Sequence, residues 1–187
     1  EIALARSCAQ RGIEIDQLDP FVNFTMGRSF WLEGDLDRAL TWLERATSLS
    51  PNYAQGLYAR AWTETMAGSA DDAREHVNLA MRLSPLDPLY YAMLGARGLT
   101  HMAGGEDDEA IAWTERAARS PGAHVLIAMI AAAAQMLAGN EHLATEWAND
   151  VRARNAVLTR EDFFRAFPMK SDAMRSRIST ALQTLGF

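Results

Sequence analysis

Residues 20–51 read PFVNFTMGRSFWLEGDLDRALTWLERATSLSP, and much of the stretch comes back in register over residues 54–85. Gly34 falls on Gly68, Asp37 on Asp71, Ala39 on Ala73, Ala46 on Ala80, Leu49 on Leu83, Ser50 on Ser84 and Pro51 on Pro85. These positions have separate steric duties: a turn glycine, an acid near a helix start, two small residues at a helix seam, and a proline that closes a helix. Their joint return in register marks a repeating unit rather than an ordinary helical bundle.

A period of about 34 residues, with small residues at fixed offsets and a closing proline, resembles the tetratricopeptide repeat. The resemblance implies an all-α fold, a right-handed superhelical α-solenoid in which each repeat is two antiparallel helices, with a C-terminal cap. In the first full unit, helix A is expected from Pro20 to Glu33 and helix B from Leu36 to Leu49. Gly34-Asp35 makes the turn between them. Gly27 sits inside helix A, where glycine costs about 1 kcal/mol against alanine. Its expected return is close approach of helix B through Ala39 and Ala46. Met26, Phe30, Leu40 and Leu43 stand at helical intervals and fill the seam. Pro51 cannot continue helix B.

A single domain over residues 1–187 follows, with repeats at 20–51, 54–85, 88–121 and 125–156. Residues 1–17 read as helix B of a truncated repeat, fraying or bending near Gly12. Because the chain starts mid-repeat and without Met, it is expected to be a fragment of a longer protein. In the second unit Arg60 and Glu64 replace the apolar Met26 and Phe30 of the first. Four residues apart, they face one side of a helix. They make either a local ion pair at a partly solvated seam or a polar contact reaching a ligand or a neighbouring element. The third unit carries three extra residues between Gly98 and Ala110, which lengthens its helix A. Asp107, Asp108 and Glu109 suit a helix N-terminus and lack the ligand spacing of a calcium loop. The fourth unit has an alanine-rich helix A, Ala131 to Ala134. Residues 159–187 supply two capping helices, with an N-cap at Thr159, an aromatic cluster of Phe163, Phe164 and Phe167, and an apolar stripe through Met174, Ile178, Leu182 and Leu185. Such a tail covers the last repeat's apolar face.

Composition narrows the function classes. A hydrophobic fraction of 49% and a net charge of −6 suit a helical domain without the basic stripe that nucleic-acid binding needs. No apolar run approaches the length of a membrane span. The lone Cys8 has no intramolecular disulfide partner and reads as a small core residue. A cytoplasmic location is expected. The four histidines are scattered, and no His-Glu-x-x-His, Cys-x-x-Cys or phosphate-loop pattern occurs. Glu141, His142 and Glu146 lie close on one helix but offer three candidate metal ligands without a fourth. The reading is therefore non-catalytic, with no cofactor and no metal.

Arg82-Leu83-Ser84-Pro85-Leu86-Asp87-Pro88, the extended Gly98–Ala110 segment and the ending Phe167-Pro168, Ser171-Asp172 and Leu182-Gln183-Thr184-Leu185-Gly186-Phe187 occur together. The set resembles the C-terminal repeat region of bacterial class III adenylate/guanylate cyclases and of related winged-helix transcriptional regulators. Thr184 and Phe187 depart from the commonest ending. The resemblance implies a regulatory or partner-assembling role, the output lying in another domain.

The tetratricopeptide resemblance also implies which positions of helix A line the concave face. The first unit contributes Phe21, Phe24, Arg28, Trp31 and Leu32. The second contributes Gln55, Tyr58, Trp62, Thr65 and Met66. The third contributes Leu89, Ala92, Ala96, Leu99 and Thr100. The Lys/Asn clamp by which chaperone cofactors of this superfamily hold a terminal carboxylate is absent, since Phe24 and Arg28 occupy its first two positions. The expected partner-binding groove is thus Phe21, Phe24, Arg28, Trp31, Tyr58, Trp62 and Met66, apolar and aromatic. It suits a protein or peptide segment, or a second copy of the chain in a homodimer. Alternatively these residues are already covered, or Arg28 among aromatics holds a small anionic or planar molecule and reports it to an attached cyclase.

Overall fold

The computed structural model describes Glu1–Phe187 and is all-helical. Eleven helices follow in order: α1 Ile2–Ile15, α2 Pro20–Trp31, α3 Leu36–Leu49, α4 Ala54–Ala67, α5 Ala70–Leu83, α6 Tyr90–Gly104, α7 Asp107–Ala118, α8 Val125–Leu137, α9 Glu141–Arg154, α10 Arg160–Ala166 and α11 Asp172–Thr184. No helix is long and apolar enough to cross a membrane. The chain forms two compact units, Glu1–Pro85 and Leu86–Phe187.

In the first unit, α2 pairs with α3 and α4 with α5, while α1 lies on α2 and α3 on α4. Asp19 starts α2: its carboxylate accepts from the amides of Phe21 at 2.7 Å and Val22 at 3.1 Å, and Pro20 follows at the first helical position, where it loses no bond. The α2–α3 seam is tight at Gly27. A Cβ there would fall 2.7 Å from Leu43 Cγ and 3.1 Å from the Ala39 carbonyl oxygen. The close approach at Gly27 therefore runs through Ala39, as the sequence pattern suggests, and through Leu43. Gly68 ends α4 at φ +105°, and the amides of Gly68 and Ser69 both return to the Glu64 carbonyl.

Two expectations for α1 are corrected. The helix runs unbroken through Gly12, whose missing side chain makes room for Val22 of α2. Cys8 is exposed. The residue facing the core is Ala9, one position on, which packs with Met26, Phe30 and Ala39. A step of one residue turns about 100° around a helix, enough to move a side chain from core to solvent.

In the second unit, α6 pairs with α7 and α8 with α9, and α7 lies on α8. The Asp87 carboxylate accepts from the Leu89 amide at 2.8 Å, so Asp87-Pro88 is spent on a turn and α6 starts at Tyr90. It ends at Gly104, past His101, the counterpart one period on of Ala67, where α4 ends. The extra residues thus extend helix A at its C-terminal end. Every residue of α8 from Ile127 to Gln135 is buried, because alanines let neighbouring backbones approach from several sides.

The tail covers α8. Helix α11 packs on it, and Leu185 and Phe187 join Ala132, Met136, Ala144, Trp147 and Ala148. Arg177 of α11 donates to the Met102 carbonyl at 2.9 Å and pairs with Asp107 in the first turn of α7. Arg152 of α9 donates to the Leu185 carbonyl and lies 4.8 Å over the Phe187 ring. Phe163 is fully buried against Phe164 and Phe167, with ring centroids 5.4 and 4.9 Å away.

Helix α10 is short and depends on its cap. The Thr159 hydroxyl accepts from the Asp162 amide at 3.2 Å, and the Asp162 carboxylate accepts from the Thr159 amide at 3.1 Å. Hydrogen bonds from Thr159, more than the neighbouring Arg165, hold the Asp162 carboxyl below its usual range. A folded value below the unfolded one means that this contribution is present above the ordinary carboxylate range and is lost as pH falls through the lowered value. Thr159→Ala is expected to cost about 1 kcal/mol, read as a lower urea midpoint, and to flatten the acid limb of the stability profile.

Candidate functional site

Helices α2 and α4 are the first helices of successive pairs, and they touch directly. Phe21 lies at the start of α2 and is 62% exposed. Its ring is 6.1 Å from Phe24, and Phe24 meets Tyr53 edge-on at 5.4 Å. One turn along, Arg28 is partly buried, with its guanidinium 4.4 Å over the Trp31 ring. Burial lowers the pKa of Arg28, and the nearby Tyr58 of α4 opposes that shift. Tyr58 is partly buried and meets Trp62 edge-on at 6.3 Å. Five of the expected groove residues, Phe21, Phe24, Arg28, Trp31 and Tyr58, thus retain accessible surface along α2 and α4.

The other two do not. Trp62 is 4% exposed and Met66 fully buried. Thr65 beside them is also fully buried. The repeat pattern assigns all three to a lining face, but a helix enclosed on most sides buries that face too, and α4 is buried from Ala61 through Met66. The same holds for Ala92, Ala96, Leu99 and Thr100 of α6, leaving Leu89 as the exposed member of the third set. The accessible patch is therefore shorter than the sequence suggests.

A second constellation links three helices of the first unit. Glu64 is 4% exposed. Its Oε1 accepts from Arg60 Nε at 2.7 Å, and its Oε2 meets His76 Nδ1 of α5 at 2.8 Å. Arg60 reaches on to Thr47 Oγ1 at 3.2 Å and Glu44 at 3.8 Å, both on α3. The pair sits at a partly solvated seam and also reaches neighbouring elements, tying α4 to α3 and α5. His76 is the partner that sequence reasoning missed. Its only signal was position, since it stands where Trp42 stands in the first repeat. A cleft of about 230 Å³ opens beside this network, lined in part by Thr47, Arg60, Glu75, His76 and Arg82.

In the second unit, His101 is buried and held on both ring nitrogens. Arg97 lies 2.6 Å from Nε2, and Glu106 contacts Nδ1. Arginine can only donate, so Nε2 is the acceptor and Nδ1–H donates to Glu106. Both ring nitrogens are thus occupied by neighbouring side chains. His142 and Glu146 stand 3.8 Å apart and largely in solvent, and no group of three His, Cys, Asp or Glu side chains is placed to hold a metal ion.

No protein-family model matches this sequence, and no curated protein does. Solved structures match its fold. PilW, a widely conserved type IV pilus biogenesis factor, superposes with a TM-score of 0.77 at 16% identity, over 98% of this chain and 85% of that one. A tetratricopeptide repeat protein from Parabacteroides merdae gives 0.69 at 10% identity, over 100% and 73%. The fold is that of the tetratricopeptide repeat. YrrB, described as a tetratricopeptide protein with an unusual peptide-binding site, gives 0.61 at 13% identity, over 95% and 89%. At these identities the likeness is one of fold alone.

Proposed function

We propose that this chain is a non-catalytic protein–protein interaction module of a larger bacterial signalling or transcription-regulating protein, and that the face formed by α2 and α4 holds a partner segment or a second copy of the chain. The observation that carries this reading is Phe21, a large aromatic left 62% exposed at the head of a line of partly covered aromatics. Aromatics beside an arginine are the residues that dominate binding energy at interfaces. YrrB, on the same fold, is described as having a peptide-binding site. The buried Trp62 and Met66 support this face from below.

The test is a pair of exposed or partly exposed substitutions, Phe21→Ala and Tyr58→Ala, in peptide titrations followed by tryptophan fluorescence and in sedimentation of the chain alone. Each is expected to weaken binding about tenfold or more while melting stays within a few degrees of the parent. Binding and self-association unmoved by both substitutions would overturn the proposal. A second reading, favoured by Arg28 stacked on Trp31 beside Tyr58, is a domain that senses a planar anion and controls an attached nucleotide cyclase. A thermal-shift series with nucleotides separates the two: stabilisation abolished by Arg28→Gln supports sensing.

A further inference from the structure

Arg28 is a cation without a counter-charge. The chain carries 24 acidic residues against 18 basic ones, so carboxylates are plentiful. Other partly buried arginines of the same unit have found them: Arg6 holds Glu33 at 2.8 Å, and Arg60 holds Glu64 at 2.7 Å. No carboxylate reaches Arg28, whose neighbours are the Trp31 ring and the Tyr58 side chain. One further donor in this neighbourhood is left over. The indole N–H of Trp31 is buried and makes no hydrogen bond. A partly buried charge costs free energy unless paired, so Arg28, with aromatics on either side, is complementary to a carboxylate that is not part of the free chain.

We infer that the segment held on α2 and α4 brings an aspartate or glutamate side chain to Arg28, flanked on both sides by apolar residues. This rests on the groove reading above and adds the chemistry of the occupant. The arrangement along α2 selects a side-chain carboxylate. Phe21 and Phe24 precede Arg28 and Trp31 follows it, so apolar contacts continue past the cation in both directions. A single guanidinium forms two parallel hydrogen bonds to one carboxylate. A phosphate dianion carries more charge than one guanidinium neutralises, and stripping its hydration against four aromatic rings is correspondingly less favourable.

The experiment is a selection of random displayed peptides on the immobilised chain, in parallel on the parent and on Arg28→Gln. Parent-selected peptides are expected to carry Asp or Glu within an apolar run, and the Arg28→Gln selection to lose the acid but keep the apolar run. For one selected peptide, replacing its acid by the amide is expected to weaken binding to the parent about tenfold to a hundredfold. Arg28→Gln, checked for unchanged melting, is expected to bind both versions alike. Acid-free peptides from the parent, or an equal loss on parent and variant, would overturn the inference and leave the groove standing. Loss of binding on amidating only the peptide's C-terminus would also overturn it, by making the terminus the source of the carboxylate. Failure to enrich any peptide would take the groove reading with it.

Discussion

Replacing Trp62 by alanine is expected to destabilise the chain by about 3–5 kcal/mol, although its sequence position marks it as part of a binding surface. The indole is 4% exposed, packed edge-on against Tyr58 and followed one turn later by the fully buried Met66. Truncation removes a large buried ring and leaves a cavity that the surrounding α4 backbone cannot fill. Domains of this kind keep only about 5–15 kcal/mol in total, so the loss is a large share. It is read as a shift of the urea midpoint with an unchanged slope. The exposed Phe21 gives the contrast: Phe21→Ala is expected to leave the midpoint nearly in place, since most of that ring is already in water. A Trp62→Ala protein as stable as the parent would return Trp62 to the accessible surface.

Glu64→Ala is expected to cost about 3–5 kcal/mol, toward the lower end because Arg60 and His76 retain 22% and 21% of their side-chain exposure. The glutamate is the shared acceptor of both partners, and its removal strips His76 of the partner on its Nδ1 and leaves Arg60 with only Thr47 and the more distant Glu44. The first repeat shows that the fold does not require the network. Met26, Phe30 and Trp42 occupy the positions that Arg60, Glu64 and His76 occupy in the second repeat. The triple change Arg60→Met, Glu64→Phe and His76→Trp is therefore expected to recover more than half of the loss, because a buried polar set exchanged whole for apolar groups is often neutral. Chemical denaturation of the single and triple variants checks this. A triple variant no more stable than Glu64→Ala would show that packing at this seam, rather than the unpaired charge, sets the cost.

The fold was legible because its information is local and repeated. Turn glycines, caps, a closing proline and small residues at a seam act within one helix pair, and their recurrence from one repeat to the next made each a check on the other. Thr159 with Asp162, and Asp107 at the head of α7, could likewise be placed from chain order alone, since caps and helix dipoles involve neighbours in sequence. The candidate site was legible only in part. Periodicity assigned Phe21, Phe24, Arg28, Trp31, Tyr58, Trp62 and Met66 to one face, but a period says which residues share a face and not whether that face is covered. Burial of Trp62 and Met66, exposure of Cys8 beside the buried Ala9, and the meeting of Glu64 with His76 were decided by tertiary packing. Each depends on how neighbouring helices enclose a given arc of another, and side-chain contacts between helices are set by distance in space. The absent counter-charge at Arg28 is of the same kind: the sequence by itself supplied the arginine, and only the folded chain shows that none of its own carboxylates reaches it.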